Sequence, residues 1–156
     1  MIIVFFGQPC SGKTTNAKAL QREFFLSQKG NVPIVDGDDI RNIFNNSDYS
    51  KEGRIKNLNR ISDIAIFLAN QNENVIVSAV YPYLEAREYM EKNSNKKILW
   101  VYLIYNEIRG REQYHVSDFD LPLLETKNLM VLNTSVRSLI TSVVDILSFC
   151  KKIEEK

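Results

Sequence analysis

The apolar run Ile2-Ile3-Val4-Phe5-Phe6 stops at Gly7, and the eight residues from there read Gly7-Gln8-Pro9-Cys10-Ser11-Gly12-Lys13-Thr14, a match to G-x-x-x-x-G-K-[ST]. No other feature limits the possible folds so tightly. From residue frequencies alone, such a match arises in roughly one of 200 chains of this length. Its placement sharpens it. The match begins where a buried-strand pattern ends and closes where Ala17, Leu20 and Phe24 take up helical spacing. Strand, glycine loop and helix in that order make a cradle for phosphate. The glycines let backbone N–H groups converge on anionic oxygens without a Cβ in the way, and the helix N-terminus adds a favourable dipole. In such a loop Lys13 reaches the β- and γ-phosphates of ATP, and the Thr14 hydroxyl binds Mg²⁺. Gly7, Gln8, Pro9, Cys10, Ser11, Gly12, Lys13, Thr14 and Thr15 are therefore read as the ATP-binding segment.

The rest of the chain supports a sheet around that loop. Apolar segments at 32–35, 74–79, 98–104 and 129–132 read as further strands. Between them lie helical patterns at 13–27, 39–45, from Ser50 to about Leu68, from Pro82 to Met90, and at 135–150. Ser50 caps the third of these, Pro82 sits at the first position of the fourth, and Thr134 or Ser135 caps the last. Strands alternating with helices predict an α/β three-layer fold of the P-loop NTPase kind, a five-stranded parallel sheet with helices on both faces, as one domain over residues 1–156. Residues 114–128 are the least regular stretch.

Composition narrows the class. Twenty basic and nineteen acidic side chains leave a formal charge of +1, which argues against a strongly basic nucleic-acid binder. No apolar run approaches the roughly 18 residues of a membrane span, and the first residues lack a signal-peptide pattern, so a cytoplasmic setting is expected. Cys10 and Cys150 are too far apart in sequence and too few to frame a disulfide scaffold. A GTPase base reader N-K-x-D is missing, because Asn95-Lys96 is followed by Lys97-Ile98. A small kinase remains.

A kinase needs carboxylates near the phosphates, and Asp36-Gly37-Asp38-Asp39-Ile40-Arg41 follows the second strand. In an open parallel sheet, ligands gather at the carboxyl ends of the strands. One of Asp36 and Asp38 would hold Mg²⁺ with Thr14, and the other would accept the proton of an attacking hydroxyl. The residues leave open which does which, although Asp36 is the expected metal partner. With Lys13 they form the expected catalytic set.

Four blocks in order resemble the adenylylsulfate kinase family. These are the phosphate loop, Asp36-Gly37-Asp38-Asp39-Ile40-Arg41, Tyr49-Ser50 with Arg54-Ile55-Lys56-Asn57, and Ser78-Ala79-Val80-Tyr81-Pro82-Tyr83 continuing to Arg87. The resemblance is close over about the first 90 residues and loose beyond. It implies transfer of a phosphoryl group from MgATP to the 3′-hydroxyl of adenosine 5′-phosphosulfate, a step of sulfate assimilation. It also implies that Arg41 and Arg54 hold the phosphosulfate, that Tyr49 stacks on adenine with Asn57 supporting the pocket, and that Asp38, Ser78, Pro82 and Tyr83 line the substrate site. A homodimer is implied, with neither nucleic acid nor membrane as partner. The lid after the fourth strand departs from the family. It is shorter, its aromatic clamp has no evident match, and Arg109 and Arg111 are the candidates to supply the charge that neutralises the transferring phosphoryl group. Tyr81 replaces the usual serine. These departures keep two alternatives open: a kinase for another nucleotide or small-molecule hydroxyl, and a nucleotide-binding module without catalysis.

Overall fold

Every side chain of the first strand, β1 (Ile2–Phe6), is buried. A strand buried on both faces belongs in the middle of a covered sheet, and that is where β1 lies in the computed structural model, which describes residues 1–27, 30–106, 112–123 and 125–155. The remaining strands are β2 (Ile34–Asp36), β3 (Val75–Ser78), β4 (Ile98–Ile104) and β5 (Leu129–Asn133), in the order β2-β3-β1-β4-β5, with all pairs parallel. The five-stranded parallel sheet expected from the sequence is present.

Pleating sorts β1 between two cores. Ile2, Val4 and Phe6 face a cluster with Leu58, Ile61 and Ala65 of α3 (Lys51–Ala69) and Ala86 and Met90 of α4 (Leu84–Asn93). Met1, Ile3 and Phe5 face the other side, against Ala17, Leu20 and Phe24 of α1 (Lys13–Leu26) and Val143, Ile146 and Cys150 of α5 (Leu139–Glu154). Helices thus cover both faces, and the short α2 (Gly37–Ile43) follows directly on β2. Among the described residues no helix is long and apolar enough to cross a membrane.

Three helix starts differ from expectation, the first being α2, which begins at Gly37 and ends at Ile43 where 39–45 was expected. Pro82 lies outside α4, whose N-cap is Tyr83. The last helix begins at Leu139, and Ser138 caps it by accepting from the Thr141 N–H at 3.1 Å. Thr134 and Ser135 are engaged elsewhere. The Thr134 hydroxyl donates to the Ser11 and Ile104 carbonyls, and Ser135 Oγ accepts from the Asn106 N–H. Both therefore brace loops at the sheet edge. Ser50 caps α3 as expected, accepting from the Gly53 N–H at 3.1 Å.

Candidate active site

Sheet register brings the pieces together. Ser78, the last residue of β3, is level with Asp36 of β2 on one side and Phe5 of β1 on the other. Asp36, Ser78 and the loop after β1 therefore meet at the carboxyl edge of the sheet. The loop adopts the backbone its glycines permit. Gly7 has φ +141° and Gly12 φ +91°, both values that residues with a side chain rarely adopt. A Cβ on Gly7 would collide with the Leu103 carbonyl. Helix α1 opens with Gly12 as N-cap, with no side-chain cap bond and no acid in its first turn. Its positive dipole end faces the loop with no acidic side chain in the first turn, which favours an anion there.

Lys13 is buried and folds over the loop, donating to the Gly7 carbonyl at 3.1 Å and the Gln8 carbonyl at 2.7 Å. The Thr14 hydroxyl donates to Asp36 Oδ2 at 2.9 Å and lies 3.2 Å from Ser78 Oγ. The other oxygen of Asp36 caps α2 by accepting from the Asp38 N–H at 2.9 Å. One carboxylate thus fixes both the Thr14 rotamer and the helix that carries Asp38. A hydroxyl beside a carboxylate is a hard-oxygen donor pair of the kind Mg²⁺ takes when it also keeps phosphates and waters. Thr14 and Asp36 therefore fit the ion. Among the described residues no three His, Cys, Asp or Glu side chains converge on a cage of their own.

Across a cleft of about 280 Å³ lies the second wall. Of the residues singled out in the sequence, Asp38, Arg41, Tyr49, Arg54, Asn57, Ser78 and Pro82 line the cleft, together with Pro9, Cys10, Lys13, Thr14 and Thr15 from the loop side. Local hydrogen bonds build this wall. Asn46 accepts from the Asp48 N–H, and Asp48 accepts from the Ser50 N–H, two successive side-chain turns that carry the chain into α3. Arg41 donates to the carbonyls of Asn46 and Asp48, and its guanidinium carbon lies 4.2 Å from the centre of the Tyr49 ring. Burial pushes the Arg41 pKa below its ordinary value. Arg54 is buried and donates to the carbonyls of Tyr49 and Tyr114 at 3.0 and 3.1 Å. Asn57 is 3% exposed, and its Oδ1 has no hydrogen-bond partner among the described residues. A buried acceptor without a donor is costly, about 1–3 kcal/mol. At the edge of a cleft it is a place for a ligand donor.

Some expectations change. Tyr83 sits beside the cleft, outside its lining. Its hydroxyl donates to Asp118 at 3.3 Å, Lys51 lies over its ring, and its pKa is raised by burial and then by the Asp118 charge. Tyr81 is fully buried at φ +42°, its hydroxyl 2.9 Å from Ser62 Oγ, so its role is packing. Arg109 and Arg111 fall outside the described residues. Sequence reasoning missed Tyr114 as a partner for Tyr49. The two rings lie 4.5 Å apart, and Tyr114 also lines the cleft. An aromatic opposite Tyr49 thus exists after all, placed on the 3₁₀ turn Glu112–Tyr114.

Comparisons with known proteins place the chain by sequence and fold. The sequence profile of the family described as adenylylsulphate kinase matches residues 1–113. An adenylyl-sulfate kinase of Deinococcus deserti is 34% identical over 93 residues, which cover 59% of this chain and 51% of that protein. The chain thus spans about half the length of that relative. A cytidine diphosphoramidate kinase of Campylobacter jejuni is 27% identical over 160 residues, covering 94% of this chain and 93% of that protein. The APS kinase of Mycobacterium tuberculosis, solved with AMPPNP and APS, superposes with a TM-score of 0.81 at 21% identity over 96% of both chains. The family profile covers residues 1–113 of the 156, and the chain belongs to the adenylylsulphate kinase family.

Proposed function

We propose that the protein is an ATP-dependent kinase that phosphorylates a hydroxyl of a nucleotide acceptor. The observation that carries this is the arrangement of two walls about one cleft. The phosphate loop with Thr14 and Asp36 forms one wall, and Arg41, Arg54, Asn57 and the Tyr49–Tyr114 pair form the other. ATP phosphates lie on the backbone N–H groups of residues 7–14, and Lys13 leaves the loop carbonyls for their oxygens. Thr14 and Asp36 would hold Mg²⁺, which when bound neutralises charge on the transferring phosphoryl group. Asp38, in the first turn of α2, accepts the proton of the attacking hydroxyl. Arg41 and Arg54 present forked donors to the anionic end of the acceptor, and the aromatic pair takes its base.

The family suggests adenosine 5′-phosphosulfate as acceptor, giving 3′-phosphoadenosine 5′-phosphosulfate. One observation favours a second reading, cytidine diphosphoramidate. The relative named for that compound matches this chain along nearly the whole of both sequences, whereas the Deinococcus match covers 59% of the chain. Incubation with MgATP and each compound in turn, with products identified by mass, tests the proposal. A phosphorylated acceptor is the expected result and its identity chooses between the readings. A folded protein that phosphorylates neither defeats both readings of the acceptor.

A further inference from the structure

Gln8 occupies a position of the phosphate loop where the phosphate chemistry asks for no particular side chain. It does not contribute to the lining of the cleft among the described residues. Its carboxamide instead pairs with the backbone of a residue 108 positions away. Nε2 donates to the Val116 carbonyl at 2.7 Å, and Oε1 accepts from the Val116 N–H at 3.1 Å. A carboxamide holds a donor and an acceptor in one plane, so it can satisfy both backbone groups of a single residue. Val116 is 4% exposed, which leaves those groups little access to water.

Two residues earlier stands Tyr114. Its carbonyl accepts from Arg54, and its ring rests on Tyr49. The three residues 114–116 therefore bridge the ATP loop and the acceptor wall. The rings of Tyr49 and Tyr114 lie 4.5 Å apart. A base held between them needs two contact layers, roughly 7 Å in all. On the kinase reading, entry of a base between the rings requires Tyr114 to step back relative to Val116, which the two Gln8 bonds hold. Two residues of chain span at most about 7 Å, enough for a turn about Val116 to open the rings by the required distance.

We propose that Gln8 is a positioning residue that anchors Val116 as the fixed end of this movement and so sets affinity for the acceptor rather than for ATP. The proposal rests on the kinase reading above. Lys13 uses the backbone carbonyl of Gln8, which a side-chain substitution leaves in place. Gln8→Ala is therefore expected to raise the acceptor KM about fivefold or more while the ATP KM moves less than about twofold. Because Gln8 acts through Tyr114, the double variant with Tyr114→Ala is expected to have the acceptor KM of Tyr114→Ala alone. Equal changes in both KM values, or effects that multiply in the double variant, overturn the proposal.

Hydrogen exchange supplies a readout that needs no turnover. In Gln8→Ala the Val116 amide is expected to exchange about tenfold faster. Gln8→Glu is expected to do the same, since it sets a carboxylate oxygen against the Val116 carbonyl. Unchanged exchange in both variants overturns the anchor. A protein inactive toward every acceptor but with this faster exchange would defeat the kinase reading and leave the anchor standing.

Discussion

A single carboxylate, Asp36, holds much of the site in register. It accepts from Thr14 after the phosphate loop and from the Asp38 N–H in the first turn of α2. On the proposed reading Lys13 is the charge that meets the transferring phosphoryl group. Lys13→Ala is expected to lower kcat by about 100- to 1000-fold, the usual cost of removing one aimed electrostatic donor, with circular dichroism unchanged. Normal turnover would remove Lys13 from the chemistry. Gly53 shows a different constraint. It lies inside α3, where alanine normally stabilises, yet a Cβ there would run into the side chain and carbonyl of Asp48. Gly53→Ala is expected to destabilise by about 1–3 kcal/mol in urea unfolding, against the helix-propensity trend. A more stable variant would show that the Asp48 turn yields easily.

The second wall depends on how α3 begins. Ser50 caps the helix and Asp48 accepts from the Ser50 N–H, with Tyr49 between them. Ser50→Ala is expected to cost about 1 kcal/mol of stability and to weaken acceptor binding more than ATP binding. Hydrogen bonds from Ser50 and the nearby Arg41 charge hold the Asp48 pKa below its ordinary value of 3.8. A depressed carboxylate stabilises the fold above its unfolded pKa, and that contribution is lost as pH falls through the folded value. The melting temperature of the wild type is therefore expected to converge on that of Asp48→Asn below about pH 4. A constant gap down to lower pH would assign the difference to another cause. Elements were legible in the sequence where pattern and cap agree. β1, α1 and the Ser50 cap fall as expected because a buried run, a glycine loop and a serine each act within a few residues. The starts of α4 and α5 were harder, since Pro82, Thr134, Ser135 and Ser138 all suit a helix start. For α5, tertiary bonds from Thr134 to Ser11 and from Asn106 to Ser135 leave Ser138 as the cap.

At the scale of the molecule, the strand order makes the site. Placing β3 between β1 and β2 sets Ser78 beside both Asp36 and the phosphate loop. The sequence blocks named most of these residues, but Tyr114 and the Gln8–Val116 pair were not legible. Their contacts join residues 65 and 108 positions apart through a segment with no periodic pattern. Binding of a ligand to the folded chain alone must raise stability. A nonhydrolysable ATP analogue with Mg²⁺ at about 100 times its Kd is expected to raise the melting temperature by roughly 5–10 °C, and to do so far less in Lys13→Ala at the same concentration. No shift in the wild type would deny the loop its ligand. On the proposed function one cleft takes both ATP and a nucleotide acceptor and passes a phosphoryl group between them. The direct measurement follows label from the γ-phosphoryl of ATP into adenosine 5′-phosphosulfate or cytidine diphosphoramidate. Label on one of these acceptors with the wild type, and none with Lys13→Ala, is the predicted result. Label that stays in ATP, with a folded protein that binds both compounds, would contradict it.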